Sequence, residues 1–350
     1  MAGVLFRVDA GPGVGLGHLQ RSLSLASALR QYGAECAFVT NQAALSGERI
    51  GAFGFQREVL RAESSWGPED LAQTCSVLRR REWTTVVVDS GRKGSEYLQG
   101  LRNAGLSVCA VEDLAPFPFP CQLVVNGDAH AGRLRYQSSS GDTRFLLGPE
   151  YAVLRQEFWE VPDRRVQPRS GKILVMLGGA DPHNLMSSLL RVMGEWPVPL
   201  EITAVIGPYF EHLDRVEEAA RSISSAVKLV TDPTSVRALM EEADLAVSAA
   251  GQTLYELARV GCPTVAFVMG SDQTEQLEAI AQSGCVISVG DSRQGDLCAR
   301  VREALTALLS DARLRAEMTE AGRRLVDGQG AHRVAQAVIA LATNRLEISR

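Results

Sequence analysis

No stretch of this 350-residue sequence approaches the roughly 18 consecutive apolar residues that a membrane-spanning helix needs. The N-terminal MAGVLFRVDAG has no basic segment leading into a long apolar run, so neither a signal peptide nor a membrane span is expected, and the chain reads as cytoplasmic. Dense Lys/Arg runs are absent and the formal net charge is -5, which argues against a nucleic-acid partner because phosphate-backbone binding needs a basic surface. The seven cysteines are odd in number and widely spaced, with no CxxC pair and no Cys/His zinc pattern. Several lie in apolar runs such as LSVCAVED, where buried reduced thiols belong. His130, His183, His212 and His332 lack a partner at HxxxH spacing, so no metal is expected. Neither GxSxG nor GxxxxGK followed by Ser or Thr occurs, which removes acyl-hydrolase and P-loop NTPase chemistry.

What is present is a soluble globular composition, 45% hydrophobic and 22% charged, long enough for two domains. Short apolar runs rich in β-branched residues alternate with helical patterns. VLFRV is followed by LQRSLSLASALRQYG and AECAFVT, and later come TTVVVD, LSVCAVED and CQLVVN. Strands apolar on successive residues, with helices between them, indicate a parallel sheet covered on both faces. After RQEFWEVPDRRVQPRSG, read as a solvated linker over residues 152–171, KILVMLGGADPHNL restarts the pattern of strand, glycine turn and helix. LEITAVIG, AVKLVT, DLAVSAAG, CPTVAFVM and CVISVG continue it. The expected fold class is α/β, with an N-terminal domain over 1–155, a C-terminal domain over 170–335 and a helix or tail over 336–350. Sheets of this kind bind ligands in the crevice at the carboxyl ends of their strands.

GPGVGLGH (11–18) stands between a strand and a helix whose Leu19, Leu23, Ala26 and Arg30 keep helical spacing and whose C-cap is Gly33. Its glycines come too early for GxGxxG and no acid ends AECAFVT, so a dinucleotide cofactor is not expected. His18 falls in the first helical turn, where the macrodipole disfavours imidazolium and keeps the ring able to accept a proton. Asp9 is a candidate either to orient that imidazole or to fasten the glycine loop. In MLGGADPHN, Gly178 and Gly179 precede a helix whose free N–H groups would suit an anion such as a diphosphate. In SAAGQTLYELARVG, Ser248 ends a strand, Gly251 opens a loop, and Thr253 can cap a helix or a phosphate. Glu256 falls three residues on, as in a capping box.

FRVDAGPGVGLGHLQRSLSLASAL resembles the N-terminal signature of the UDP-sugar hydrolases of pseudaminic-acid synthesis and of related spore-coat polysaccharide proteins. VVNGDAHA, LLGPEYAVLRQEF, MLGGADPHNL, DLAVSAAGQTLYELARVG and SDQTEQ extend the resemblance to about residue 290. The second half is also similar to the nucleotide domain of the peptidoglycan N-acetylglucosaminyltransferase. The resemblance implies a GT-B architecture, two Rossmann-like domains with a cleft between them, needing no metal. It also implies release of UDP from a UDP-linked amino or deoxy sugar. It makes His18 the catalytic base and Glu256 the ligand of ribose hydroxyls. Ser248, Ala249, Gly251, Gln252 and Thr253 would lie at the diphosphate with Gly178 and Gly179, and Gln273 would face the sugar. Gly15, Gly17, Arg21, Asn126 and Tyr151 in the matching stretches complete the expected substrate site. Where that family carries an aromatic residue after the aspartate ending the middle strand, this chain has Asp89, Ser90 and Gly91. A glycosyltransferase with the same base acting on an acceptor hydroxyl, and a non-catalytic nucleotide-sugar binder, are the alternative readings.

Overall fold

Three consecutive valines at 86–88 leave no face of a strand for water, and the structure buries all of them. The computed structural model describes residues 2–11, 16–40, 44–62 and 65–348. Two units form, residues 1–156 with 328–350, and residues 157–327.

In the first unit the strands are β1 (Gly3–Val8), β2 (Glu35–Thr40), β3 (Gln56–Val59), β4 (Thr85–Asp89), β5 (Ser107–Val111), β6 (Leu123–Asn126) and β7 (Arg144–Leu147). They pair in the order β3-β2-β1-β4-β5-β6-β7, every pair parallel. The sequence reading identified five of these and missed β3 and β7. Both are four-residue edge strands, QREV and RFLL, with partly exposed residues and no long apolar run to mark them. Helices α1 (Gly17–Gln31), α2 (Ala44–Ala52), α3 (Pro68–Arg80) and α4 (Ser95–Asn103) connect the first five strands. Burying a side chain such as Leu5, Val88, Leu98 or Leu101 contributes about 1.5–3 kcal/mol each.

In the second unit β8 (Lys172–Met176), β9 (Glu201–Ile206), β10 (Ala226–Thr231), β11 (Leu245–Ala249), β12 (Thr264–Val268) and β13 (Val286–Asp291) pair in the order β10-β9-β8-β11-β12-β13, again all parallel. Between them run α5 (Leu185–Gly194), α6 (Leu213–Ser222), α7 (Arg237–Glu242), α8 (Gln252–Val260) and α9 (Thr274–Gln282), and α10 (Leu297–Ser310) and α11 (Ala312–Leu325) follow. The segment expected to be a solvated linker is fastened to this unit instead. Phe158 is buried, Arg164 donates to the Met240 and Ala243 carbonyls, and the buried Arg315 donates to the carbonyls of Gln167 and Pro168. Arg164 faces carbonyls while Asp163, Arg165 and Arg169 stay exposed, a division that composition alone does not reveal.

The last helix, α12 (Gly330–Ile348), belongs to the first unit. The expected boundary at 335 is therefore corrected: the chain returns to the first unit at 328, and the segment expected as a helix or tail from 336 is part of a helix that starts at Gly330. There α12 packs on α1, and Gln336 Nε2 donates to the Tyr32 hydroxyl at 3.1 Å. This covers a helix buried continuously from Ser22 to Leu29, whose Ser24 and Ser27 hydroxyls bond back to the Gln20 and Leu23 carbonyls. Gly33 ends α1 as expected. At φ 79° it donates to the Arg30 carbonyl while Ala34 donates to that of Leu29, a Schellman closure.

Candidate active site

Because β1, β4, β5 and β6 run parallel as neighbours, whatever follows their carboxyl ends gathers on one rim. Val8 pairs with Asp89, and Asp89 with Val111, so the ends of β1, β4 and β5 lie side by side. His18 and Arg21, one turn apart on α1, reach that rim from the helix that follows β1.

His18 Nδ1 lies 2.8 Å from Asp89 Oδ1. Arg21 grips the same carboxylate with both arms, Nε to Oδ2 at 3.0 Å and Nη2 to Oδ1 at 2.7 Å, and the Ser22 hydroxyl adds a bond to Oδ2 at 3.3 Å. The guanidinium also holds Asp113, just past β5, through Nη1 to Oδ1 at 2.7 Å and Nη2 to Oδ2 at 3.2 Å. Burial alone would raise the Asp89 carboxyl pKa, but the charge of Arg21 and then His18 hold it far below the usual range. Asp113 is held low against burial mainly by Arg21. Burial would lower the Arg21 guanidinium, yet Asp113 and Asp89 push it well up. The trio is therefore an ionised scaffold. A carboxylate on Nδ1 selects the tautomer with the proton there, leaving Nε2 as the basic nitrogen. Nε2 has no hydrogen-bond partner among the described residues, and the His18 side chain is 24% exposed, so it is open to a reactant.

Asp9 does not supply this orienting carboxylate. It is 3% exposed and grips the buried Arg7 guanidinium, which Asp70 holds from the other side with a hydrogen bond from the Tyr97 hydroxyl. Strand alternation decides this: Arg7 and Asp9 share one side of β1 and its extension, and their opposite charges pair at once. Asp89 does the work, and the terminal acids of TTVVVD and LSVCAVED were its visible signal. A second buried pair braces the rim, with Lys93 Nζ 2.7 Å from Glu112 Oε2 and Glu112 Oε1 accepting from the Asp113 and Leu114 amides. Both residues escaped the sequence reading.

The remaining expected residues divide. Gly15 lies outside the described residues. Gly17 opens α1 with open space where a Cβ would stand. Arg21 is bound by two carboxylates and positions them rather than waiting for substrate. Asn126 is fully buried and its amide is engaged by the Asp113 carbonyl, the Tyr136 hydroxyl and the Asp128 amide, so it ties loops together. Tyr151 sits half-buried in a short turn at 149–151. In the second unit, Gly178 takes φ 85° as a tight turn requires. The anion expected beyond Gly178 and Gly179 is supplied by the chain itself: Asp181, 2% exposed, accepts from the Leu185 and Met186 amides and caps α5. Ser248 and Ala249 end β11, and Gly251 is the N-cap of α8 at φ 136°, a residue with no side chain of its own to cap the helix. Gln252 and Thr253 are its first two residues, so Thr253 and Glu256 do not form the expected capping box. Glu256 lies deeper in α8, 3% exposed. The Gln273 side-chain oxygen accepts from the Met269 and Gly270 amides and shapes its own loop. A cavity of about 940 Å³ lies at the opposite edge of this sheet, against Lys172 and Asp244 at the amino ends of β8 and β11. Its lining acids and bases balance, which suits no diphosphate.

No protein-family model matches the chain. The spore coat polysaccharide biosynthesis protein SpsG of Bacillus subtilis is 28% identical over 55% of this chain and 58% of its own length. The UDP-2,4-diacetamido-2,4,6-trideoxy-beta-L-altropyranose hydrolase of Campylobacter jejuni is 20% identical over 77% of this chain and 94% of its own. The chain spans only 56% and 58% of the length of two of the curated relatives it matches. Among solved structures, MurG of Acinetobacter baumannii superposes with a TM-score of 0.70 at 15% identity, covering 97% of this chain and all of that one. The chain has the GT-B fold. GT-B proteins pair two parallel-sheet α/β domains, and both are present here. Among the described residues no helix is long and apolar enough to cross a membrane.

Proposed function

We propose that this protein is a nucleotide-sugar hydrolase that releases UDP from a UDP-linked amino or deoxy sugar. The His18–Asp89 pair carries this reading, because it is the arrangement that turns an imidazole into a general base. Support comes from the Campylobacter hydrolase among its relatives. In the reaction, Nε2 takes a proton from water as the water oxygen attacks the anomeric carbon. The bond from that carbon to the diphosphate oxygen breaks on the opposite side, UDP departs as the anion, and the sugar is released with inverted configuration. On the second unit, the start of α8 and the small residues Ala249 and Gly251 would receive the diphosphate, and Glu256 the ribose.

Glycosyl transfer, with His18 taking its proton from an acceptor hydroxyl, is the second reading, supported by the glycosyltransferases that share the fold. Incubation with UDP-sugars alone separates the two. Prompt UDP release supports the hydrolase, release only with an added acceptor supports transfer, and tight UDP binding without turnover supports a binding protein. For either enzyme, His18→Ala is expected to lose about 10² to 10⁴ in rate while UDP affinity and melting temperature hold. Near-native turnover in that variant refutes the assignment.

A further inference from the structure

Asp113 is held more firmly than a partly exposed loop residue requires. Its amide donates to Glu112 Oε1 at 3.0 Å, its carbonyl accepts from Asn126 Nδ2 at 3.2 Å, and its carboxylate takes two bonds from Arg21. Each anchor is itself anchored. Glu112 is locked to Lys93, Asn126 is fully buried, and Arg21 is clamped to Asp89. Yet the Asp113 side chain stays 33% exposed, against 1% for Asp89.

Charge shows that Asp113 is not needed to neutralise Arg21. Asp89 already gives that guanidinium a bidentate partner, and Lys93 with Glu112 is a closed pair. Adding Asp113 leaves the group of Asp89, Arg21, Asp113, Lys93 and Glu112 with one surplus negative charge on the rim that carries His18. A surplus carboxylate repels a diphosphate, so this point of the rim suits the neutral sugar end of a nucleotide sugar. Each Asp113 oxygen holds an Arg21 bond and keeps lone-pair capacity for another donor.

We propose that Asp113 is a specificity-determining residue that accepts a hydrogen bond from a hydroxyl or amide N–H of the substrate's sugar. The assignment rests on the nucleotide-sugar chemistry proposed for the site. A pre-aimed carboxylate discriminates strongly, because a sugar lacking the donor leaves a desolvated acceptor lone pair unfilled.

The test pairs the native protein and Asp113→Asn with a series of UDP-sugars, each deoxygenated or de-acylated at one position, and reads kcat/KM. Asparagine keeps an oxygen for Arg21, and a melting curve confirms folding. Native protein should lose about 10- to 100-fold on the one analogue lacking the contacted donor. Asp113→Asn should lose a similar factor on the parent sugar and little more on that analogue, while binding of UDP alone is unchanged. Equal losses by Asp113→Asn on every analogue mean that Asp113 only braces Arg21, and overturn the proposal while leaving the hydrolase reading intact. Failure of the native protein to turn over any UDP-sugar, with or without acceptors, overturns both.

Discussion

Replacing Asp89 with asparagine tests the pairing on which the chemistry depends. Arg21 donates to both Asp89 oxygens, and His18 Nδ1 shares Oδ1. An asparagine has one oxygen to offer. If that oxygen stays at the Oδ1 position, the new NH₂ faces Arg21 Nε–H and the Ser22 hydroxyl. If it turns, the NH₂ faces His18 and Arg21 Nη2, which favours the imidazole tautomer with its proton on Nε2 and removes the base. Either orientation leaves a buried donor without an acceptor, costing about 1–3 kcal/mol, while Asp113 still offsets the Arg21 charge. Turnover is expected to fall by about 10² to 10⁴. UDP release by purified protein, normalised to the folded fraction from a melting curve, is the assay. A folded Asp89→Asn variant within a few-fold of native turnover would refute the reasoning. The same pair sets an acid limit. Because the Asp89 carboxyl is lowered in the folded state, its stabilisation is fully present above the unfolded carboxylate value of about 4 and is lost as pH falls through the folded value. Native protein should therefore lose stability below about pH 4 more steeply than Asp89→Asn does, as seen by acid titration of circular dichroism.

Gly251→Ala should destabilise the second unit by about 1–3 kcal/mol, since φ 136° with ψ -164° is open to glycine alone, and should weaken UDP binding in calorimetry. Unchanged UDP affinity would remove the start of α8 from the nucleotide site. Truncation after Asp327 deletes α12 and uncovers the apolar outer side of α1, so the shortened chain should be insoluble or lose cooperative melting. A soluble truncation with native melting would contradict that packing.

The alternation of strand and helix was legible because it rests on local hydrophobic patterning, and the central strands follow it residue by residue. The two strands that were missed, Gln56–Val59 and Arg144–Leu147, are edges, four residues each and largely part-exposed, too short to leave an apolar run. Helix caps were legible at Gly33, where a left-handed residue is required, and misread at Thr253, because the chain enters α8 through Gly251, two residues earlier than the S/T-x-x-E pattern implies. At Gly178 and Gly179 the turn was readable. That Asp181 fills the helix start was not, since a carboxylate near a helix N-terminus looks the same in sequence whether it points in or out.

By itself the sequence determined an α/β chain of two parallel sheets and a histidine at the first turn after the first strand, because strand length, glycine turns and helical periodicity are local properties. The tertiary structure alone decided what that histidine meets. Asp9 is near in sequence but is drawn to Arg7, whereas Asp89, 71 residues from His18, arrives because adjacent parallel strands end on one rim. It also decided that α12 returns to α1, joining residues 304 positions apart. Sheet order and register set such pairings by packing whole elements, and no spacing within the chain records them.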